Sequence, residues 1–225
     1  MTSLARQREG HDASVQRRRL PAHERRNRIM QGAMRVFAER GYTDASMTEI
    51  ARAGGVTAAV IYDHFSSKQD LHGALLEEQT DALLAYVGSA LASAGTTPEQ
   101  RMRAGVNAFF GFVQAHPFAW RMIFRDPPAD PEIAEIHTRI HIRATQSIIL
   151  FLDVAVPDFR REDAAHGRRL EMFAHMLKMS LNGMAAWWYE HPSATREELV
   201  ECSLDFCWSG LERLAVATRE VSADA

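Results

Sequence analysis

Side chains that can donate hydrogen bonds to an anion are concentrated in one segment of the chain, VTAAVIYDHFSSKQDL. Thr57 and Ser67 each precede a helical pattern, where a hydroxyl caps free backbone N–H groups and where helix N-termini attract phosphate. Tyr62, His64 and Lys68 follow closely, and each can donate a hydrogen bond to a phosphate oxygen. These residue types at this spacing predict contact with a polyanion.

The elements around this segment predict a helix-turn-helix. Ser46 and Glu49 have the spacing of a capping box at the start of a short helix, and Gly54 and Gly55 end that helix. Thr57 then caps a second short helix that begins with two alanines. In such a unit the second helix enters the DNA major groove with its N-terminus first, and alanines there let the backbone approach the base edges.

The stretch GYTDASMTEIARAGGVTAAVIYDHFSSKQDL, with the preceding VFAERG, resembles the TetR family of bacterial transcriptional regulators. The resemblance rests on Gly-Tyr, Ser, Ile-Ala, Gly-Val-Thr, Tyr-x-His-Phe, Lys and Leu in that order, from Gly41 to Leu71. Two residues depart from the family pattern. Gly54 stands where alanine is common and is expected to loosen the end of its helix. Ala59 stands where glycine is frequent and adds a methyl group on the side that faces the groove.

The resemblance implies a set of DNA contacts made through phosphates, base edges and groove-facing methyl groups. Its members are Ser46, Thr48, Thr57, Ala58, Ala59, Val60, Tyr62, His64 and Lys68. The set contains no arginine, asparagine or glutamine that could read a base with two hydrogen bonds. Specificity is therefore expected to depend on methyl contacts, Tyr62, Thr48, DNA shape or the N-terminal arm.

The charge distribution favours DNA contact at one end of the chain. Residues 1–72 carry a net charge of +4 and residues 73–225 a net charge of −7. We predict a disordered basic arm at 1–21, a helix-turn-helix DNA-binding domain at 22–68, and a C-terminal ligand-binding and dimerisation domain at 69–225. The arginines expected to reach the minor groove or phosphates are Arg17, Arg18, Arg19, Arg25 and Arg26.

The remaining sequence predicts helix after helix. Apolar residues recur with a period of 3.6, and no stretch alternates as a half-buried strand would, so the predicted fold class is all-α with about nine helices. No apolar run approaches the roughly 18 residues of a membrane helix, and the basic N-terminus is not followed by an apolar segment. A cytoplasmic location is therefore expected. Cys202 and Cys207 are five residues apart on a predicted helix and are expected to be reduced packing cysteines on different faces.

The resemblance implies that the C-terminal domain holds a pocket for a small molecule. Aromatic and methionine side chains on the middle helices favour an apolar or flat ligand. The candidates are Phe109, Phe112, Trp120, Met122, Phe124, Met172, Met176, Met179 and Trp187. A polar group of the ligand could be oriented by Arg139, His141, Arg143 or His175. Ordinary core packing is the alternative for each apolar candidate.

The last two helices, predicted at about 162–190 and 195–217, resemble the pair that forms a four-helix bundle with a second subunit in this family. The segment MFAHMLKMSLNGMAAWW is apolar on more than one face, so it needs two partners. Gly183, Ala185 and Ala186 would permit close packing. A homodimer would place two recognition helices about 34–36 Å apart, the spacing that reads a palindrome.

These inferences predict a homodimeric repressor that binds a palindromic operator and is released by a small, apolar ligand. Three alternatives remain at this point: a regulator of the same fold without a small-molecule inducer, an activator, and an enzyme that uses the helical C-terminal domain. No nucleophile–base arrangement or phosphate-binding loop occurs in the sequence, so no enzyme activity and no cofactor is predicted. His137 and His141 lie one helical turn apart without a third ligand, so no metal site is predicted either.

Overall fold

The computed structural model describes residues 21–125, 129–155 and 164–223, with side chains for 21–125, 129–152 and 167–209. This part of the chain forms nine α-helices and one π-helical turn and contains no strand, which confirms the predicted all-α fold. The elements are α1 (Ala22–Asp44), α2 (Met47–Gly54), α3 (Ala58–Tyr62), α4 (Lys68–Ala92), α5 (Pro98–Ala115), α6 (Pro117–Trp120), the π-helical turn (Arg121–Arg125), α7 (Pro131–Ala155), α8 (Ala164–Glu190) and α9 (Arg196–Ala223).

Local capping explains where the N-terminal helices begin and end. Ser46 Oγ accepts a hydrogen bond from the Glu49 N–H at 3.2 Å, and a Glu49 carboxylate oxygen accepts one from the Ser46 N–H at 3.2 Å. This reciprocal pair satisfies two N–H groups that the first turn of α2 leaves free. Gly41 and Gly55 have φ values of +73° and +65°, in the left-handed region that favours glycine. The regular part of α1 therefore ends at Gly41. Helix α2 ends at Gly54 with Gly55 as its cap, as predicted.

An apolar cluster joins α1, α2 and α3 to the start of α4. Ile29, Ile50 and Ile61 come from the first three helices and have no exposed surface. The cluster continues past residue 68, because Leu71 of α4 and Ile133 of α7 belong to it. The predicted domain boundary between residues 68 and 69 therefore falls at the start of α4, and this helix packs against helices from both predicted domains. The boundary stays a prediction.

A second apolar cluster fills the C-terminal part of the described chain. Phe110 and Phe112 of α5, Trp120 of α6 and Leu152 of α7 are almost completely buried there. The Trp120 indole N–H donates to Asn182 Oδ1 at 3.0 Å, which satisfies the one polar atom of this buried ring. In the described part of the chain, no helix is long and apolar enough to cross a membrane. Cys202 is exposed and Cys207 is buried, and both are free.

His72 of α4 lies beside two aromatic rings of the N-terminal apolar cluster. It is 2% exposed, and its ring meets the edges of Phe37 and Tyr42 at centroid distances of 5.1 and 4.9 Å. Burial, followed by the charge of His137, lowers the pKa of His72 from its ordinary value of 6.5 to about 4. The folded protein therefore holds His72 neutral at pH values where the unfolded chain protonates it.

We expect His72→Leu to make the stability of the protein less sensitive to acid. The unfolded chain binds a proton at His72 below about pH 6.5 and the folded protein only below about pH 4, so stability is full above pH 6.5 and falls as pH drops towards 4. The loss reaches about 3 kcal/mol for this one group. Urea unfolding of both proteins across this pH range measures it. If the free energy of unfolding fell with pH equally steeply for the wild type and the variant, the prediction would be contradicted.

Candidate DNA-binding surface, ligand cavity and apolar stripe

The N-terminus of α3 is exposed, and buried residues at and just after the C-terminal end of this helix anchor it to the N-terminal cluster. Ile61 and Phe65 are buried at 0% and 4% exposure and fix α3 against α1, while Tyr62 is 57% exposed. Thr57 Oγ1 accepts from the Val60 N–H at 3.4 Å, which defines the helix start. The members of the predicted DNA-contact set that are exposed are Ser46, Thr48, Thr57, Ala58, Ala59 and Tyr62. Together these residues present small side chains, hydroxyls and one phenol at the start of α2 and along α3.

The other members of the predicted set, Val60, His64 and Lys68, are half-buried. Val60 packs against the apolar cluster of the N-terminal helices. His64 lies beside Phe65, and its Nε2 is buried without a hydrogen-bond partner among the described residues. A buried nitrogen without a partner is an unfavourable state that a donor or acceptor from a ligand would relieve.

Lys68 is predicted to donate a hydrogen bond to a phosphate oxygen, and in the DNA-free structure its ammonium lies among carbonyl oxygens of the protein. Its ammonium donates to the carbonyl oxygens of Tyr42, Thr43 and Ala45 at 2.8, 3.1 and 3.1 Å, and it lies 4.5 Å from the centre of the Tyr42 ring. An ammonium has three N–H donors, so all three are used within the protein. Lys68 therefore ties the first residue of α4 to the chain between α1 and α2.

We expect Lys68→Met to destabilise the N-terminal helices. The variant loses three hydrogen bonds made by a charged donor, and such bonds contribute about 1.5–3 kcal/mol each in favourable cases. A lower thermal midpoint of the DNA-free protein would report that loss. The salt dependence of operator affinity gives an independent readout, because each phosphate contact contributes about 0.9 to the slope. An unchanged slope is expected. A slope reduced by about one with unaltered stability would show that the ammonium contacts phosphate instead.

The arginines predicted for the arm divide between described and undescribed residues. Arg17, Arg18 and Arg19 lie outside the described residues, and Arg25 and Arg26 lie in the first turns of α1. Arg26 forms an ion pair with Glu78 of α4 at 3.2 Å and lies 5.5 Å from the centre of the Phe65 ring. Arg26 therefore connects α1 to α4 in this structure.

A cavity of about 220 Å³ lies between α4, α5, α7 and α8. Its walls are mostly aliphatic, with leucine and valine from α4, Met102 and Val106 from α5, and Ile148 from α7. Three polar residues line it: Ser147, Lys178 and Asn182. This composition, an apolar chamber with few polar groups, is typical of small-molecule sites.

The structure brings together two of the nine candidate pocket residues. Phe109 and Phe124 line the cavity. Phe112, Trp120 and Met122 are buried in the cores and do not line it. The remaining four are exposed and lie on one face of α8: Met172, Met176, Met179 and Trp187. An apolar pattern alone cannot separate these three environments, because core, cavity and external surface all use the same residue types.

The polar lining residue Lys178 is not among the residues that the sequence pattern predicts for a pocket. It is 6% exposed and lies on the face of α8 that carries the buried residues Ala174, Leu177 and Leu181. The sequence feature that could have identified Lys178 is a lysine at a position where an amphipathic helix normally carries an apolar core residue. The arginines considered for orienting a ligand form ion pairs elsewhere: Arg139 with Glu77 at 3.5 Å and Arg143 with Asp81 at 2.8 Å.

The four exposed residues of α8 form an apolar stripe that continues onto α9. With Gly183 they follow the helical repeat on one face, opposite the buried face of α8. A side chain built on Gly183 would meet nothing within 4 Å. Exposed Cys202 and Phe206 of α9 lie beside the stripe, and a groove between the helices is lined by Trp187 and Cys202. Ala185, in contrast, is fully buried within this chain.

The histidines at one-turn spacing on α7 contact the protein interior. His137 Nδ1 lies 3.2 Å from the Ile123 carbonyl oxygen, and the His137 and His141 rings are 6.4 Å apart. Burial is the main cause that lowers the pKa of both imidazoles. Among the residues that the structure describes, no three His, Cys, Asp or Glu side chains are arranged to hold a metal ion.

Comparisons with known proteins agree with this architecture. Residues 29–75 match the family model of bacterial regulatory proteins of the tetR family, and residues 98–210 match that of the tetracyclin repressor-like C-terminal domain. The HTH-type transcriptional activator FasR of Mycolicibacterium smegmatis is 32% identical over 198 residues, 87% of each chain.

Two solved structures share the fold. The fatty acid degradation regulator FadR of Bacillus halodurans has a TM-score of 0.69 at 20% identity, covering 80% of this chain and 96% of that one. FadR of Bacillus subtilis, in complex with stearoyl-CoA, has a TM-score of 0.67 at 15% identity, covering 80% of this chain and 95% of that one. The family models and the relative matched over 87% of its length decide the assignment. The chain belongs to the TetR family of bacterial transcriptional regulators, with an N-terminal helix-turn-helix that binds DNA.

Proposed function

We propose that the protein regulates transcription as a homodimer that binds a palindromic operator and is controlled by a small apolar ligand. The observation that carries the proposal is the exposed start of α3. Thr57, Ala58 and Ala59 face solvent on a helix held by buried Ile61, so the backbone there can approach DNA closely. Tyr62 can donate its hydroxyl to a phosphate oxygen at the edge of the same surface.

The apolar stripe supports the homodimer. Met172, Met176 and Met179 are each more than half exposed, although large apolar patches on monomers are usually covered by a partner. Gly183 in the middle of the stripe leaves room for the backbone of a facing helix. A twofold axis through α8 and α9 would make this surface self-complementary and would present two copies of α3 to one face of DNA.

Helix α4 supports a coupling between ligand and DNA. Its 25 residues span about 37 Å at about 1.5 Å per residue. Lys68 at one end holds the segment between α1 and α2, and Leu83, Val87 and Leu91 towards the other end line the cavity. A ligand that favours another position of α4 would change the separation of the two recognition helices. DNA affinity would then change by at most the free energy that distinguishes the ligand's affinities for the two positions.

Activation is a second candidate for the sign of regulation. Repression is the simplest result of an operator that overlaps a promoter. The relative FasR, matched over 87% of its length, is named as an activator, which favours activation through an operator placed upstream. A reporter gene with the operator moved between these positions would separate the two signs.

Selection of bound sequences from random duplex DNA at physiological salt is the direct test of the DNA-binding proposal. The full-length protein is expected to enrich a palindrome with half-sites about one helical turn apart. The matched control is a variant with Thr57→Glu and Tyr62→Ala, which keeps Ile61 and Phe65 as anchors and should enrich no motif. Enrichment of a single unpaired half-site would contradict the dimer. Salt-sensitive binding with no motif would contradict sequence reading by α3.

A further inference from the structure

The chain has two lysines, of which Lys68 is half-buried and Lys178 is buried. Lys178 donates to Thr145 Oγ1 at 2.8 Å and to the His141 carbonyl oxygen at 3.2 Å, both on α7. That carbonyl already accepts from Thr145 Oγ1 at 2.9 Å. The acceptors of Lys178 are therefore neutral, and within the described residues its third N–H has no partner.

No acid compensates this ammonium in the described part of the chain. Burial lowers the pKa of Lys178, and no acidic side chain opposes that effect. The pKa of His141 is lowered first by burial and then by the charges of Lys178, His137 and His175. The side chains that act on His141 are thus basic, and Lys178 brings a positive charge to this end of the cavity, which attracts an anion.

A buried ammonium with neutral partners is an unfavourable arrangement for stability alone. Removing a charge from water without an opposite charge is costly, and an apolar residue of similar size would often be as stable or more so. The other polar lining residues are already engaged: Ser147 donates to the Arg143 carbonyl oxygen at 3.0 Å, and Asn182 bonds Trp120 and the Lys178 carbonyl oxygen. Lys178 is therefore the lining residue with both a charge and a free donor to offer.

We propose that Lys178 anchors the carboxylate of an anionic amphiphile, such as a medium-chain carboxylic acid, whose apolar chain fills the cavity. The inference rests on the proposed ligand control and names the chemical class of the ligand. An aliphatic wall suits a flexible chain, and a full negative charge is the group that would neutralise the ammonium. A thioester carbonyl can accept a hydrogen bond from Lys178 but brings no charge to this position.

The experiment is a calorimetric titration of the full-length protein with four probes that share one chain: dodecanoate, dodecanol, dodecyltrimethylammonium and dodecanoyl-CoA. The wild type is expected to bind dodecanoate about 10- to 100-fold more tightly than dodecanol. Lys178→Met, which keeps most of the length of the side chain and removes the ammonium, should lose that factor for dodecanoate and leave dodecanol within about 3-fold. Arg139→Met is the matched control, because it removes a positive charge that is exposed and paired with Glu77, and it should bind dodecanoate as the wild type does.

The possible outcomes separate the anchor from the wider proposal. Equal binding of dodecanoate and dodecanol by the wild type would overturn the anchor while leaving an apolar ligand in place. The same conclusion would follow if dodecanoyl-CoA bound most tightly and Lys178→Met had no effect. Binding of none of the probes would overturn both the anchor and the apolar-ligand proposal, and sequence selection on DNA would still test the DNA-binding part. The comparison of probes on the wild type needs no variant, so a Lys178→Met protein that failed to fold would not remove the test.

Discussion

Replacing Met176 by glutamate is expected to convert the proposed homodimer into monomers and to lower operator affinity by about 100-fold or more. Met176 is 60% exposed in the middle of the α8 stripe, where a twofold axis would bring two copies together. Two carboxylates would then lose water in an apolar interface without a counter-charge. A monomer has one recognition helix and cannot gain the second half-site as an intramolecular contact.

Sedimentation equilibrium and operator titration of the same protein measure the two effects. Leu150→Glu is the matched control, because Leu150 is a 68% exposed aliphatic residue on α7, away from the stripe, and its replacement should leave the dimer and the DNA affinity unchanged. A dimeric Met176→Glu protein with full operator affinity would show that α8 is not the interface. Monomers that still bind the palindrome tightly would show that association occurs on the DNA.

The helix-turn-helix could be predicted because its signals are local. The Ser46–Glu49 capping box, the Thr57 cap and the left-handed Gly55 each act within four residues, and the structure has all three as predicted. The close contact at Gly54 was not predicted, however. A side chain on Gly54 would meet the Arg28 carbonyl oxygen at 2.8 Å, so this glycine lets α1 and α2 approach closely. That Gly54 also loosens the helix end stays a prediction.

The cavity between α4, α5, α7 and α8 could not be predicted in the same way because it depends on distant contacts. Helix α8 is apolar on two opposite faces, so its periodicity does not reveal that Leu177 faces the cavity while Met176 and Met179 face outward. The roles of both lysines depend on acceptors far away in sequence, which are the carbonyls around Thr43 for Lys68 and Thr145 for Lys178. The π-helical turn that carries Phe124 into the cavity also has no local signature that we recognised.

Replacing Gly32 by valine is expected to disrupt the DNA-binding unit, because Gly32 lies where α1 and α2 cross. A side chain on Gly32 would lie 2.7 Å from the Gly54 amide nitrogen and 2.8 Å from the Ile50 carbonyl oxygen. Both are backbone atoms, which cannot move aside as a flexible side chain can. The helices must separate, and the buried contacts of Ile29 and Ile50 would open. Overpacking of this kind costs about 3 kcal/mol or more when the neighbours cannot relax.

Thermal unfolding and operator binding of Gly32→Val test this directly. We expect the midpoint to fall by roughly 6–12 °C, at about 2–4 °C per kcal/mol for a chain of this size, and operator binding to be lost because α3 no longer has a fixed support. Gly167→Val is the matched control, since Gly167 is a helical glycine in α8 whose added side chain would meet nothing within 4 Å. That variant should be as stable as the wild type, because valine has a higher helix propensity than glycine. Equal midpoints for the two variants would mean that α1 and α2 can separate without loss. The close crossing, and with it the rigid presentation of α3, would then not be what the DNA-binding unit requires.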